Sequence, residues 1–122
     1  MNLNTVATAL IARVTGVDVN TATKQALYTV PTGKTLIVTG IVVRNVSTSL
    51  TTASFGFGFN ANADDVLASE VWTELTGSTL YTCKLPKEGA IVGAASDVLG
   101  SKCTINQGAA ATVTIEIYGI LF

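Results

Sequence analysis

The sequence predicts an all-β fold, an antiparallel β-sandwich of jelly-roll type with about eight strands, on three observations. Nineteen Thr, fourteen Val and eight Ile make one third of the 122 residues β-branched. Such side chains fit a pleated surface better than a helix. The ending Ala111–Phe122 alternates apolar and polar residues with the period of a strand that buries one face. Gly, Pro, Asn and Asp interrupt the apolar runs at short intervals, as turns between strands require. No linker, repeat or low-complexity tail divides residues 1–122, so they form one domain. A chain of this length can bury a core without staples.

The elements follow in order. Met1–Arg13 runs polar, then Ala-rich, then apolar. It reads as a short first strand or as an N-terminal arm that orders only against a neighbour. Val17–Asn20 is irregular, and Thr21–Lys24 leads into a strand over Gln25–Val30. Pro31, which has no N–H for a ladder, ends that strand. Pro31-Thr32-Gly33-Lys34 is expected to turn with Pro31 at the first central position. Thr35–Val46 then carries six Val or Ile in twelve residues and no Pro, the composition of a long strand. One face would hold Ile37, Ile41 and Val43 with Thr35 and Thr39. The other would hold Leu36, Val38, Val42 and Val46 with Gly40 and Arg44. Neither is polar along its length, and a strand apolar on both faces lies between two layers. One face is therefore assigned to the subunit core. The other, through Leu36, Val38 and Val42, is assigned to neighbouring subunits. Arg44, near the strand's end, can reach solvent or a carboxylate.

Val46–Ala53 is a Ser/Thr loop. In Ser54–Asn60 three Phe alternate with two Gly, so a strand points Phe55, Phe57 and Phe59 one way and Gly56 and Gly58 the other. The ring face is core-like. The glycine face is the flat side of a core strand or a contact for another subunit. The segment lacks the Lys-Ser/Thr of a phosphate loop. Asn60, Asn62 and Asp64 are spaced like the start of a calcium loop. However, Asp65 stands where that motif needs Gly, and Val71 where it needs Glu. A turn whose Asx side chains bond local backbone is the better reading. Val66–Leu75 fits a helix face or a strand face, and the all-β context favours a strand. Thr79–Leu85 is a strand ended by Pro86, Lys87–Gly89 a turn, Ala90–Gly93 a short strand and Ala94–Asp97 a loop. Val98–Asn106 is a strand bulged at Gly100, and Gln107-Gly108 turns. The final strand points Val113, Ile115 and Ile117 inward, and Thr112, Thr114, Glu116 and Tyr118 outward. Its apolar end, Gly119–Phe122, is expected to dock in a core or an interface.

Chemistry is thinly provided for. There is no His, which removes Ser-His-Asp and Cys-His nucleophile systems and every His metal site. Cys83 and Cys103 stand alone, and pair only if their strands are neighbours. Asp64, Asp65, Glu70 and Glu74 are the remaining catalytic candidates, and solvated or subunit-bridging carboxylates explain them better. The expectation is no enzyme, no cofactor and no metal. Seven scattered basic residues make no nucleic-acid patch. No apolar run approaches the roughly 20 residues of a membrane span. The N-terminal stretch, broken by Arg13, does not read as a signal peptide, so synthesis in a reducing cytoplasm is expected. Only 12% of residues are charged and the net charge is −1, about half the usual charged fraction. So poor a charge favours association with copies or partners.

One resemblance goes further. Leu27–Asn45, LYTVPTGKTLIVTGIVVRN, resembles a stretch of tailed-bacteriophage virion proteins in which a YxVPxGK turn feeds a long apolar strand. Phe55–Leu80 and Gly108–Phe122 are similar to the small head decoration, or cement, proteins of such phages. The resemblance implies a homotrimeric jelly-roll or sandwich subunit on the capsid exterior. There it would bind the major capsid protein and tie capsomers together, with no role for nucleic acid or membrane. The same turn occurs in phage tail and fibre proteins, which is the alternative. The residues expected to make subunit or capsid contacts are Leu10 and Ile11, then Leu36, Val38 and Val42, and finally Ile120, Leu121 and Phe122.

Overall fold

The structure, a computed structural model, describes residues 8–87 and 92–122. They form nine strands: β1 (Ala9–Asp18), β2 (Gln25–Thr29), β3 (Leu36–Arg44), β4 (Ser54–Gly58), β5 (Leu67–Val71), β6 (Tyr81–Lys84), β7 (Val92–Gly93), β8 (Val98–Ile105) and β9 (Thr112–Leu121). Two antiparallel sheets result. Sheet A has the order β1-β9-β3-β6, with β7 also on β3, and sheet B the order β2-β8-β4-β5. The expected all-β sandwich is the architecture. The short strand expected over Ala90–Gly93 is present as the two-residue β7.

Most connections cross between the sheets, so the turns are corners rather than hairpins. The corner after β2 is one. Lys34 N–H donates to Pro31 C=O at 3.1 Å, and Gly33 has φ +77°. Pro31 is therefore the first residue of the turn, not its first central one, and Gly33 takes the left-handed position that a type II turn reserves for glycine. β2 and β3 leave this corner into different sheets.

The two-sided apolarity of β3 has a local cause. On β9, Val38 pairs with Gly119 and Gly40 with Tyr118, which leaves Thr39 as an extra residue. A bulge of one residue reverses the alternation beyond it. Leu36 and Val38 before the bulge thus share the inner face with Ile41 and Val43 after it, and all four are buried in the subunit's own core. This corrects the assignment of Leu36 and Val38 to an intersubunit surface. On the other side of β9, at the same level, β1 carries its own extra residue, Ile11. A side chain at Gly119, between the two bulges, would run into the Ile37 carbonyl. The extra residue expected at Gly100 is instead Leu27 of β2, and β8 carries another at Thr104.

β4 is buried throughout, with Phe55 and Phe57 in the core. Its glycine face is covered by the same chain. A Cβ on Gly56 would stand 2.6 Å from Leu67 O and 3.0 Å from Ala63 O. The loop from Asn60 to Val66 lies there, so that face is not free for another subunit. Gly56→Ala is expected to push the β5 backbone at Leu67 and Ser69, and this loop with it, off β4 and destabilise the fold by about 1–3 kcal/mol, read as a lower urea midpoint; an unchanged midpoint would show that β5 and the loop yield freely.

The strand expected over Val66–Leu75 stops at Val71. The chain then turns, with Leu75 N–H on Trp72 C=O at 3.1 Å, and buries both Trp72 and Leu75 completely. Of the two readings of the N-terminal segment, first strand or arm, the described residues form the strand. From Ala9 onward the chain is a strand of sheet A paired to β9, and the rest of the Met1–Arg13 segment, up to Ala7, lies outside the described residues.

Candidate interaction surface

The outer face of sheet A is built in cross-strand rows by the pairing register. Leu10, Tyr118 and Gly40 form one row. Arg13, Glu116, Val42 and Cys83 form a second. Ile120, Ile37 and Val92 form a third. Thr114, Arg44 and Tyr81 form a fourth. Antiparallel sheets that face water on one side normally alternate apolar-in and polar-out. This sheet does not, because Leu10, Ile37, Val42, Val92 and Ile120 occupy outward positions. Leu10 is 42% exposed, Val92 47% and Tyr81 70%, so the face is open in the isolated chain.

Of the eight residues expected at an interface, three meet on this face: Leu10, Val42 and Ile120. Leu36 and Val38 belong to the core. Ile11 and Leu121 are half-buried and pack against the core. Phe122 is half-buried at the start of β3, where its backbone exchanges hydrogen bonds with Thr35 at 2.6 and 2.9 Å. The sequence reading missed Ile37, Tyr118, Tyr81, Cys83 and Val92 as members of the surface. The alternation of β9 did point Tyr118 outward, and that was the available signal. Ile37 was placed on the wrong side by the unseen bulge.

At the centre of the face sits a buried carboxylate. The Arg13 Nε–H donates to Glu116 Oε2 at 2.7 Å, and the Arg44 Nε–H donates to Oε1 at 3.0 Å. Glu116 is buried while both arginine side chains stay near half exposed. Burial pushes the Glu116 carboxyl up, but the hydrogen bonds and charges of the two guanidinium groups outweigh it and hold the group below the usual carboxylate range. Arg44 thus finds the carboxylate that its place in the strand permitted, supplied from 72 residues further along. Two cations on one anion leave the centre of the face with one positive charge uncompensated.

A second charged cluster closes the side of the sandwich where β5 and β6 form the sheet edges. Lys84 Nζ lies 3.2 Å from Glu70 Oε2 and 3.8 Å from Glu74 Oε1, and 5.4 Å above the Trp72 ring centroid. The Thr82 hydroxyl donates to Glu74 at 3.3 Å. Lys87, whose N–H donates to the Val66 carbonyl at 2.8 Å, brings a second cation to the same flank. Leu80 and Leu85, at the two ends of β6, are exposed beside it.

The other candidates resolve locally. Asp65 Oδ1 accepts the Phe59 N–H at 2.7 Å, and Asp64 and Asn60 bond each other through side chain and backbone. That is the Asx turn expected from the sequence. No cluster of three or more metal-ligating side chains occurs among the described residues. Cys83 is exposed in sheet A, and Cys103 is buried in sheet B; both are free thiols. Burial pushes the Cys103 thiol up. Trp72 is fully buried, so it cannot join Tyr81 and Tyr118 in an exposed aromatic platform for a sugar.

No protein-family model matches this chain, and a search of curated proteins finds no match to it.

Proposed function

We propose that this protein is a structural component of a virion, a decoration or cement protein that binds the outside of a tailed-phage head and stabilises contacts between capsomers. The observation that carries the reading is the outer face of sheet A, which sets Leu10, Ile37, Val42, Val92 and Ile120 around the Arg13–Glu116–Arg44 cluster and is open in the isolated chain. An apolar sheet face of that extent is a contact surface. The strand orders β1-β9-β3-β6 and β2-β8-β4-β5, which we read as the two sheets of a jelly roll, also support it. A cement protein acts by burying surface in many copies at once, and each contact can be modest because engagement is multivalent. Its partners in this reading are the major capsid protein and two further copies of itself. The turn and strand of Leu27–Asn45 carry the resemblance to phage virion proteins.

Imaging of the intact particle tests this directly. The chain is expected on the outer surface of the head, in clusters, and heads lacking it are expected to lose their DNA at lower temperature. Finding the chain only on the tail, or not in the particle, would overturn the reading.

A further inference from the structure

We propose that the outer face of sheet A docks on a protein surface that presents one carboxylate among apolar side chains, and that Arg13 and Arg44 receive this carboxylate. In the proposed role, on which this rests, that surface belongs to the phage head.

The cluster orients two guanidinium groups and leaves part of each unused. Glu116 takes the Nε–H of both arginines and also the Arg13 Nη2 at 2.7 Å. Among the described residues, Nη1 of Arg13 and both Nη nitrogens of Arg44 meet no acceptor. Both arginine side chains are near half exposed, with the Glu116 side chain at 7% beneath them. They are thus ordered before a partner arrives, which lowers the cost of binding one.

Charge decides what this face can meet. Leu10, Ile37, Val42, Val92 and Ile120 lie around the cluster, so a partner seated on them excludes water from it. Two cations then share one anion, and a charge left unpaired away from water is costly. An incoming carboxylate balances the set and suits the planar fork of a guanidinium. A second copy placed face to face brings another positive charge instead, which opposes the contact. Anionic lipid is gathered by clusters of several basic residues, whereas this face has two that already share Glu116. Asp18, at the far end of β1, does not neutralise the cluster. It pairs with Thr112 at the start of β9, and its carboxylate accepts the Asn20 N–H at 2.7 Å. It lies toward Cys103 of sheet B, whose thiol is raised by burial first and by the Asp18 charge as well.

Adding the purified chain back to phage heads assembled without it tests this, with occupancy measured on pelleted heads over a range of chain concentrations. Arg44→Met keeps an apolar stem and leaves Arg13 and Glu116 as a balanced pair. It is expected to bind heads roughly tenfold or more weakly, and its fold is checked by circular dichroism. Leu10→Glu and Leu10→Gln decide the matter if Arg44→Met does not fold. Leu10 is exposed on the edge strand β1, and the two replacements match in shape and differ in charge. Leu10→Glu gives the face a carboxylate of its own, so it is expected to bind about tenfold more weakly than Leu10→Gln. Equal binding by the two Leu10 variants overturns the inference and leaves the proposed role standing, as does a folded Arg44→Met protein that binds like wild type. A wild-type chain that ignores heads overturns both, whether or not it collects on phosphatidylglycerol vesicles. If Arg44→Met abolishes self-association in solution while binding to heads is unchanged, the occupant is a second copy and the inference falls.

Discussion

Trp72→Ala is expected to lower stability by about 3–5 kcal/mol, the range for truncating a large buried aromatic. Domains of this kind have roughly 5–15 kcal/mol in all, so the loss would leave the fold marginal. The ring is fully buried. It stacks on Phe55 with centroids 4.9 Å apart and planes 13° from parallel, and meets Phe57 edge-on at 6.1 Å. Its indole N–H donates to the Phe55 carbonyl at 3.0 Å. Alanine would therefore leave a cavity, take one hydrogen bond from the Phe55 carbonyl and leave no ring beneath the Lys84 ammonium. These three effects share one location, so they act together rather than add. Trp72→Phe separates them. It refills much of the space but returns no N–H, so its cost should be nearer the roughly 0.5–1.5 kcal/mol of one lost hydrogen bond. Urea unfolding followed by circular dichroism measures both. A Trp72→Ala midpoint close to wild type would mean that the aromatic cluster is not what holds β4 and the β5–β6 flank together.

Trp72 also marks where the sequence ceased to be informative. Leu67, Val71, Thr73 and Leu75 alternate as a strand would, yet the strand ends at Val71, which is exposed, and the next residue is buried. Periodicity reports which residues are apolar. It does not report where the backbone leaves the sheet, because a turn buries its large residues without a period. β3 gives the same lesson for register. Its class, its long apolar run and the glycine turn before it were legible from composition. Its inner face was not, because the single extra residue at Thr39 inverts every side chain on one side of it. Gly40 is the one hint, since a lone Gly inside a strand can mark a bulge, but it does not say which residue is the extra one, and at Gly100 the same mark misplaced it. β9 has no bulged residue of its own in its pairing with β1 and β3, and there the alternation predicted Val113, Ile115 and Ile117 correctly as core. The outward residues of the same strand were a partial success. Glu116 does point away from the core, yet it is buried, because Arg13 and Arg44 arrive from strands far away in the chain. Pairing of that kind depends on which strands are neighbours, and single-sequence patterns do not encode it.

Glu116 is the residue at which acid should act on the fold. Its carboxyl is held below the ordinary value in the folded protein, by hydrogen bonds and charge from Arg13 and Arg44 that overcome the opposing effect of burial. In the unfolded chain it returns to the ordinary glutamate value. A group depressed on folding contributes stability that is fully present above the unfolded value and is lost as pH falls through the folded one. Stability is therefore expected to decline from about pH 4 downward, in part through this group. Glu116→Gln removes that part. It keeps the shape and one acceptor oxygen but gives up the charge that both guanidinium groups address. Both arginines are near half exposed, so water compensates much of the loss. The expected cost at pH 7 is thus about 1–2 kcal/mol, below that of a fully buried pair. The difference from wild type should shrink steadily below pH 4 as the native carboxyl protonates. Unfolding midpoints at a series of pH values would show the two curves converging in acid; parallel curves would mean that Glu116 is not held in its charged form.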